Sequence, residues 1–368
     1  MRSVHIDTAR TWRGGQNQVL LTVTGLAEIG HHAVLVAHEG GELRRRAREG
    51  LRFVGFSPRS EFDVQAAWQL AKVLGDVQPD VIHAHDPMAV SLAAMALQMK
   101  TGLADPPLVV ASRRVDFHLK RHAFSKWKYR RVDVFIAASN VIAAILAEDG
   151  VTPDRIEVVH DGVNVDAIDR QPAVDAHAAL WLPRGALLVG NVAALAAHKG
   201  QRFLIAAAAR VVRELPDTRF VILGEGELRE PLEHQIKELG LDRHVFLPGF
   251  RADVLGLIKS FDVVAMSSVT EGLGSAVLEA MACARPVVAT RAGGIPEVVT
   301  DNETGLLVPA HDAAALATAL VALLRDAPLR DRLGRAGRTR VVEEFSIDRL
   351  VNGTARIYQT RRARAKQA

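Results

Sequence analysis

Short apolar runs alternate with amphipathic helical stretches along the whole of this chain, and that alternation leaves few folds open. A strand buried on both faces reads as a continuous apolar run, and parallel strands need a crossover, usually a helix, between them. In the first half the runs predict strands at 3–7, 33–37, 52–56, 81–84, 108–111, 134–138 and 156–160. In the second half they predict strands at 187–192, 219–223, 245–247, 263–266, 286–290 and 305–308. Helices fall between them, among them 16–28, 64–77, 201–214, 228–239 and 313–325. This is the signature of α/β domains with parallel sheets, here two Rossmann-like domains in series. A length of 368 residues suits two domains of ordinary size. The expected division is 1–165 and 166–345, with a basic helical segment at 346–368. The stretch 161–183 holds Gly162 and Pro172 and no clear strand, and reads as the linker. The end, 361–366, reads as a frayed, solvated terminus.

Bulk properties exclude several classes. Apolar residues make up 49% of the chain, enough for two cores. Lys and Arg (46) nearly balance Asp and Glu (42), so the chain as a whole is no binder of nucleic acid. A single cysteine, Cys283, rules out a disulfide framework and a Cys-based zinc site. The N-terminus enters a strand directly, without the apolar core of a signal peptide, and no run approaches the ~18 apolar residues of a spanning helix. The expected location is the cytoplasm, or the periphery of the inner face of a membrane.

The chemistry is concentrated in the second half. Glu271 and Glu279 stand eight residues apart across the turn Gly272-Leu273-Gly274-Ser275, which opens a short helix and is followed at once by an apolar strand. A helix N-terminus presents unpaired N–H groups and a partial positive charge, a natural seat for phosphate. Glycines let a ligand approach the backbone closely. Glu279, about one turn into the helix, leans back toward the N-terminus and can accept two neighbouring hydroxyls, which suits a ribose diol. The layout suggests a polyol held by acids and a diphosphate held by backbone. Lys199 stands at a strand-to-helix mouth, placed to neutralise a phosphate leaving group. Gly14-Gly15 follow the first strand and open a helix, again permitting close approach to a diphosphate. Neither this turn nor Gly224-Glu225-Gly226 completes a dinucleotide-binding Gly-x-Gly-x-x-Gly.

The block from Glu271 through Ala280-Met281-Ala282, Pro286-Val287-Val288-Ala289-Thr290, Gly293-Gly294-Ile295-Pro296-Glu297 and Gly305-Leu306-Leu307-Val308 resembles the signature of retaining glycosyltransferases of family 4. The resemblance implies the GT-B fold: two Rossmann-like domains facing across a cleft, with the C-terminal helix, about 347–359, crossing back to the first domain. It implies transfer of a sugar, with retained configuration, from a nucleotide-diphosphate sugar to a hydroxyl of a glycan or lipid-linked acceptor. Such an enzyme would serve bacterial envelope polysaccharide or lipopolysaccharide synthesis. Glu271 would hold sugar hydroxyls, Glu279 the ribose, and Lys199 with the helix end at Gly274–Ser275 the leaving phosphate. Arg251 falls where family members contact the base. Family members carry an arginine five residues before the lysine, where this chain has Ala194. They also carry a histidine just after the strand at 108–111, where this chain has Arg113 and Arg114. Asp116 is then the nearest titratable acid, followed by His118.

The first half should supply the acceptor site. Between residues 113 and 131 stand eight Lys or Arg and one acid, the pattern of a loop and helix meeting an anionic acceptor or a lipid surface. His83 and His85 face one side of an extended strand at its C-terminal edge, but no third ligand is evident nearby. The expectation is therefore no metal site and no cofactor, the nucleotide sugar being a substrate. A GT-B-like sugar-nucleotide epimerase and a non-catalytic sugar-nucleotide-binding protein are the rival readings.

Overall fold

The computed structural model describes residues 1–47, 50–99 and 102–367. The chain folds into two compact units. Unit one comprises Met1–Gly162 together with Ile347–Ala368, and unit two comprises Val163–Ser346.

Unit one holds β1 (Arg2–Asp7), β2 (His32–Ala37), β3 (Arg52–Gly55), β4 (Val81–Ala84), β5 (Leu108–Arg113), β6 (Val134–Ala137) and β7 (Ile156–Val158). They form one parallel sheet in the order β3-β2-β1-β4-β5-β6-β7. Unit two holds β8 (Leu187–Val192), β9 (Thr218–Leu223), β10 (Val245–Gly249), β11 (Val263–Met266), β12 (Val287–Thr290) and β13 (Leu306–Val308). Their sheet runs β10-β9-β8-β11-β12-β13 and its pairs are parallel. Helices cover both faces of each sheet, so the central strands are apolar throughout: all of β11 and β12 is buried. Each order reverses at one point, between β1 and β4 and between β8 and β11. At such a point neighbouring crossovers leave in opposite directions, and a crevice opens beyond the carboxyl ends of the strands.

Two segments differ from the sequence reading. The stretch taken for a linker is part of the body of unit two. Val163, Ile168, Ala176 and Leu182 are buried in its core. The Lys259 ammonium donates to the carbonyls of Ile168 and Gln171, 2.6 Å each. Turn residues and short helices hid the buried apolar side chains spaced through this segment. The C-terminal helix runs through Ile347–Gln367 rather than ending near residue 359. It lies on unit one, where Leu350, Val351, Ala355, Ile357 and Tyr358 join Leu26, Val81, Val110 and Val134 in one core. At its far end Arg361 pairs with Glu157 at 2.5 Å and Arg362 donates to the Pro106 carbonyl, so these arginines are docked.

Candidate functional site

In unit two the loops after β8 and β11, on the two sides of the reversal, are knitted together. The amide of Val269 donates to the His198 carbonyl at 2.8 Å. Gly200 has φ +64, and a Cβ there would sit 2.1 Å from the Ser267 carbonyl oxygen, so only glycine permits this closeness. The joined loops bring Lys199 to Glu271: Nζ donates to Oε2 at 2.6 Å, and the Ser268 hydroxyl donates to the same oxygen at 3.0 Å. Both side chains keep some contact with water, 18% for Lys199 and 12% for Glu271. A third loop, after β12, closes on the turn: the Gly294 amide donates to the Glu271 carbonyl at 3.0 Å. Gly293 beside it has φ +50, and a Cβ would lie 1.7 Å from that carbonyl oxygen.

The helix Ser275–Ala282 begins immediately after the turn, with Gly274 as N-cap at φ 103. No side chain caps it. The amides of Val277 and Leu278 fold back to the Gly274 carbonyl, and the described residues give those of Ser275 and Ala276 no acceptor. Two donors therefore remain at the positive end of the helix. Glu279 stands on the same helix, half-buried, and its carboxyl has no hydrogen bond to a described residue. Burial pushes it up to about 7. A lysine, two unsatisfied amides and a carboxyl without a partner thus share one strand-edge region of unit two.

In unit one the corresponding reversal is braced by acids. Asp86 caps the helix Pro87–Ala96 through the amides of Met88 and Ala89, and also takes the amide and hydroxyl of Thr8 at 2.6 and 3.0 Å. Asp7, at the end of β1, accepts from the Ala9 amide and the Gln16 side chain. Burial, and then the neighbouring Asp86, raise it to about 6. Gln16 ties β1 to the helix Gly14–Glu28, so Gly14 and Gly15 lie in the first turn of that helix rather than in the loop before it. No atom lies within 4 Å of where a Cβ on Gly15 would be, so its backbone is open to approach.

The histidine pair acquires a third member. Register places His5 directly beside His83, and His85 lies two residues further along. The three rings are close enough to be weighed as a metal site. Their hydrogen bonds assign them another task. A guanidinium only donates, so Arg114 Nη1, 3.2 Å from His85 Nδ1, fixes the His85 proton on Nε2. That proton points to His5 Nδ1 at 3.1 Å, and His5 then presents its own proton from Nε2 to the Ser3 hydroxyl at 3.1 Å. His83 is held by Tyr358 and Ser112 at 2.6 and 2.7 Å. Burial lowers all three, His5 to about 3, so they are neutral. The positive charge beside them is balanced by Asp161, 2.8 Å from Arg114 Nε.

The other expected residues are scattered. Arg251 is gripped by Asp253 through two bonds of 2.8 and 2.7 Å, so its side chain is committed and only its backbone is free for a base. Arg113 ends β5 and donates to the Phe117 carbonyl, which takes it out of the role of a free acceptor-site cation. Asp116 sits in the irregular segment that follows, half-buried. His118 is engaged by Asp149 at 2.9 Å. Lys199, Glu271, Gly272, Leu273, Gly274, Ser275 and Glu279 are gathered in unit two, while Gly15, Arg113 and Asp116 belong to unit one. Gly272, Leu273 and Gly274 are buried, so the turn can offer a ligand its amides but little side-chain surface. Sequence reasoning missed Asp7, Tyr358 and the pairing of Arg114 with Asp161, and gave Asp86 no role as a cap. Asp86 alone carried a local signal, an acid immediately before a helix-opening proline.

Comparison with known proteins agrees with this layout. The model of "Glycosyltransferase Family 4" matches residues 12–167, and that of "Glycosyl transferases group 1" matches residues 176–340. The glycosyltransferase EpsD of Bacillus subtilis is 32% identical over 320 residues, 82% of each chain. The phosphatidyl-myo-inositol mannosyltransferase of Mycobacterium leprae is 30% identical over 314 residues, 83% of this chain and 80% of that one. Among solved structures, Anabaena HepE in complex with UDP and glucose superposes with a TM-score of 0.84 over 98% of this chain and 100% of that chain. At 20% identity that likeness speaks for the fold alone, which is GT-B. With two units each built on a parallel sheet, and with relatives matched over most of its length, the chain belongs to glycosyltransferase family 4 and is a transferase.

Proposed function

We propose that this enzyme moves a hexose, with retention of anomeric configuration, from a nucleotide-diphosphate sugar to a hydroxyl of a glycan or lipid-linked acceptor. The observation that carries the reading is the carboxyl of Glu279, half-buried and without a hydrogen-bond partner, on the helix whose N-terminal amides are also unsatisfied. A half-buried acid and two free donors on one short helix suit a ligand that brings its own hydroxyls and its own anionic oxygens. The ribose diol donates to Glu279, and the diphosphate receives the amides of Ser275 and Ala276.

Lys199 and Glu271 divide the remaining work. Unliganded, each neutralises the other. With donor bound, the ammonium turns to the diphosphate and Glu271 accepts hydroxyls of the transferred sugar. As the anomeric bond breaks, negative charge grows on the leaving phosphate, where Lys199 and the helix end lower its energy. The leaving diphosphate takes the acceptor proton. Gly15 leaves its backbone open to a phosphate, and Asp116 lies on the acceptor side. These groups supply the positive charge themselves, so the reaction needs no divalent metal and no cofactor. The relative named for phosphatidyl-myo-inositol supports a lipid-linked acceptor, and with it a role in envelope polysaccharide or lipopolysaccharide synthesis.

Calorimetry with nucleoside diphosphates tests the reading. Glu279→Gln should weaken binding, while Glu271→Ala should leave it nearly intact and lower turnover. Equal affinity in the Glu279 variant and the parent would remove the ribose assignment. Loss of turnover under chelator, restored by manganese or magnesium, would overturn the metal-free mechanism.

A further inference from the structure

Two arginines on the long helix Ala327–Glu344 grip the site of unit two from behind. The helix Ser275–Ala282 leaves four carbonyls at its end, as every helix does. Three of them find amides: Glu279 that of Cys283 at 3.0 Å, Ala280 that of Arg285 and Met281 that of Ala284 at 2.9 Å each. The fourth, the Ala282 carbonyl, accepts from Arg338 Nη1. The short helix Ile295–Val298 ends in a similar way, with Arg340 donating to the carbonyls of Val298 and Glu297 at 2.9 and 3.0 Å. A carboxylate steadies each guanidinium. Asp169 takes Nη1 and Nη2 of Arg338 at 2.9 and 2.7 Å, and Glu344 takes Nη1 of Arg340 at 2.9 Å.

The long helix comes this close because it turns glycines toward the segment it grips. A Cβ on Gly334 would lie 2.3 Å from the Ala284 carbonyl oxygen, and one on Gly337 would lie 3.3 Å from Met281 Cγ. Charge is not what Arg338 gives to a ligand at the other end of the helix Ser275–Ala282. Eight residues set Ala282 about 12 Å from the N-terminal amides. Charges in contact with water are screened beyond about 8 Å, and the Arg338 guanidinium already faces Asp169. What Arg338 fixes is position. Hydrogen bonds from amides to an anion weaken once donor and acceptor part by more than about 3.2 Å, so a small slip of the helix along its axis is enough to lose them.

We propose, on the donor reading given above, that Arg338 is a positioning residue for the nucleoside diphosphate. It holds the helix that carries Glu279 and the amides of Ser275 and Ala276 at the height where all three meet the ligand, and it touches no ligand itself. Asp169 serves it in turn. The ion pair is part-exposed, 33% and 48%, so its charge contributes little stability, but the two-pronged contact fixes the plane of the guanidinium. Arg340 makes the same kind of grip from the same helix on a segment that carries none of these three groups, and so serves as the comparison.

The test is calorimetry of the full chain with UDP and with GDP, on variants shown by circular dichroism to be folded at the temperature of measurement. Arg338→Met should weaken whichever diphosphate the parent binds roughly three- to tenfold, the net worth of one hydrogen bond. Arg338→Lys, which keeps a donor for the Ala282 carbonyl, should recover most of that loss. Arg340→Met should bind like the parent even where its melting temperature falls. If Arg338→Met does not fold, Asp169→Asn takes its place, with a smaller loss in the same sense expected. Parental affinity in the Arg338 or Asp169 variant overturns the proposal, and so does equal loss in the two methionine variants or a lysine variant as weak as Arg338→Met. Glu279→Gln, measured alongside, separates this role from the donor reading. If it binds like the parent, the ribose assignment falls whatever Arg338 shows. If it weakens and Arg338→Met does not, the positioning role alone falls. A parent that binds neither diphosphate overturns both.

Discussion

At the scale of single residues, Glu279 gives the most direct handle. In the unfolded chain its carboxyl ionises near 4.5, and in the folded chain near 7. Between those values the unfolded state holds fewer protons, so this group makes stability fall as pH rises through the window. A ribose diol donates to the ionised form, so nucleotide binding should release a proton and tighten as pH rises toward and through about 7. Calorimetry in buffers of different ionisation enthalpy should register that proton in the parent and lose it in Glu279→Gln. Gly293 is the second handle. A Cβ there would strike the Glu271 carbonyl, at a φ that disfavours side chains. Gly293→Ala should displace the Glu271 turn, lowering turnover well beyond its effect on the melting temperature. That glycines stand in this block is plain from the sequence, but which backbone each one clears is not. Such contacts join loops dozens of residues apart.

Among the elements, the C-terminal helix shows how much one segment can hold. Gly25 on the helix Gly14–Glu28 faces Val351, where a Cβ would come within 2.3 Å of a methyl carbon. Gly25→Leu should wedge these helices apart and lower the unfolding free energy measured in urea by an amount typical of overpacking, about 1–3 kcal/mol. Tyr358→Phe removes the hydroxyl that meets His83 Nδ1 at 2.6 Å and leaves a buried nitrogen unpaired. The expected cost is about 1–3 kcal/mol in the same measurement. The helix itself was evident from its pattern. Its length was not, because a run of arginines reads as solvated until Glu157 and the Pro106 carbonyl are found opposite it.

For the whole molecule, the division into units carries its own expectation. Residues 347–367 complete the core of unit one, so a chain ending at Ser346 should lose cooperative unfolding of unit one while unit two retains its own transition. Calorimetric scanning of the truncated chain checks this, and two intact transitions would count against it. The sequence by itself determined the strand and helix pattern, the α/β class, the count of two similar domains and the glycosyltransferase block, because burial period and turn chemistry are local properties. Only the tertiary structure decided that Lys199 meets Glu271 and that His5 joins His83 and His85. It also decided that Arg251 is spent on Asp253, and that Arg113, Arg114 and Lys128 of the basic run are engaged by partners within unit one. Each of these depends on which strands become neighbours and in what register. That choice is made by the packing of the whole core, beyond the reach of any short window of sequence.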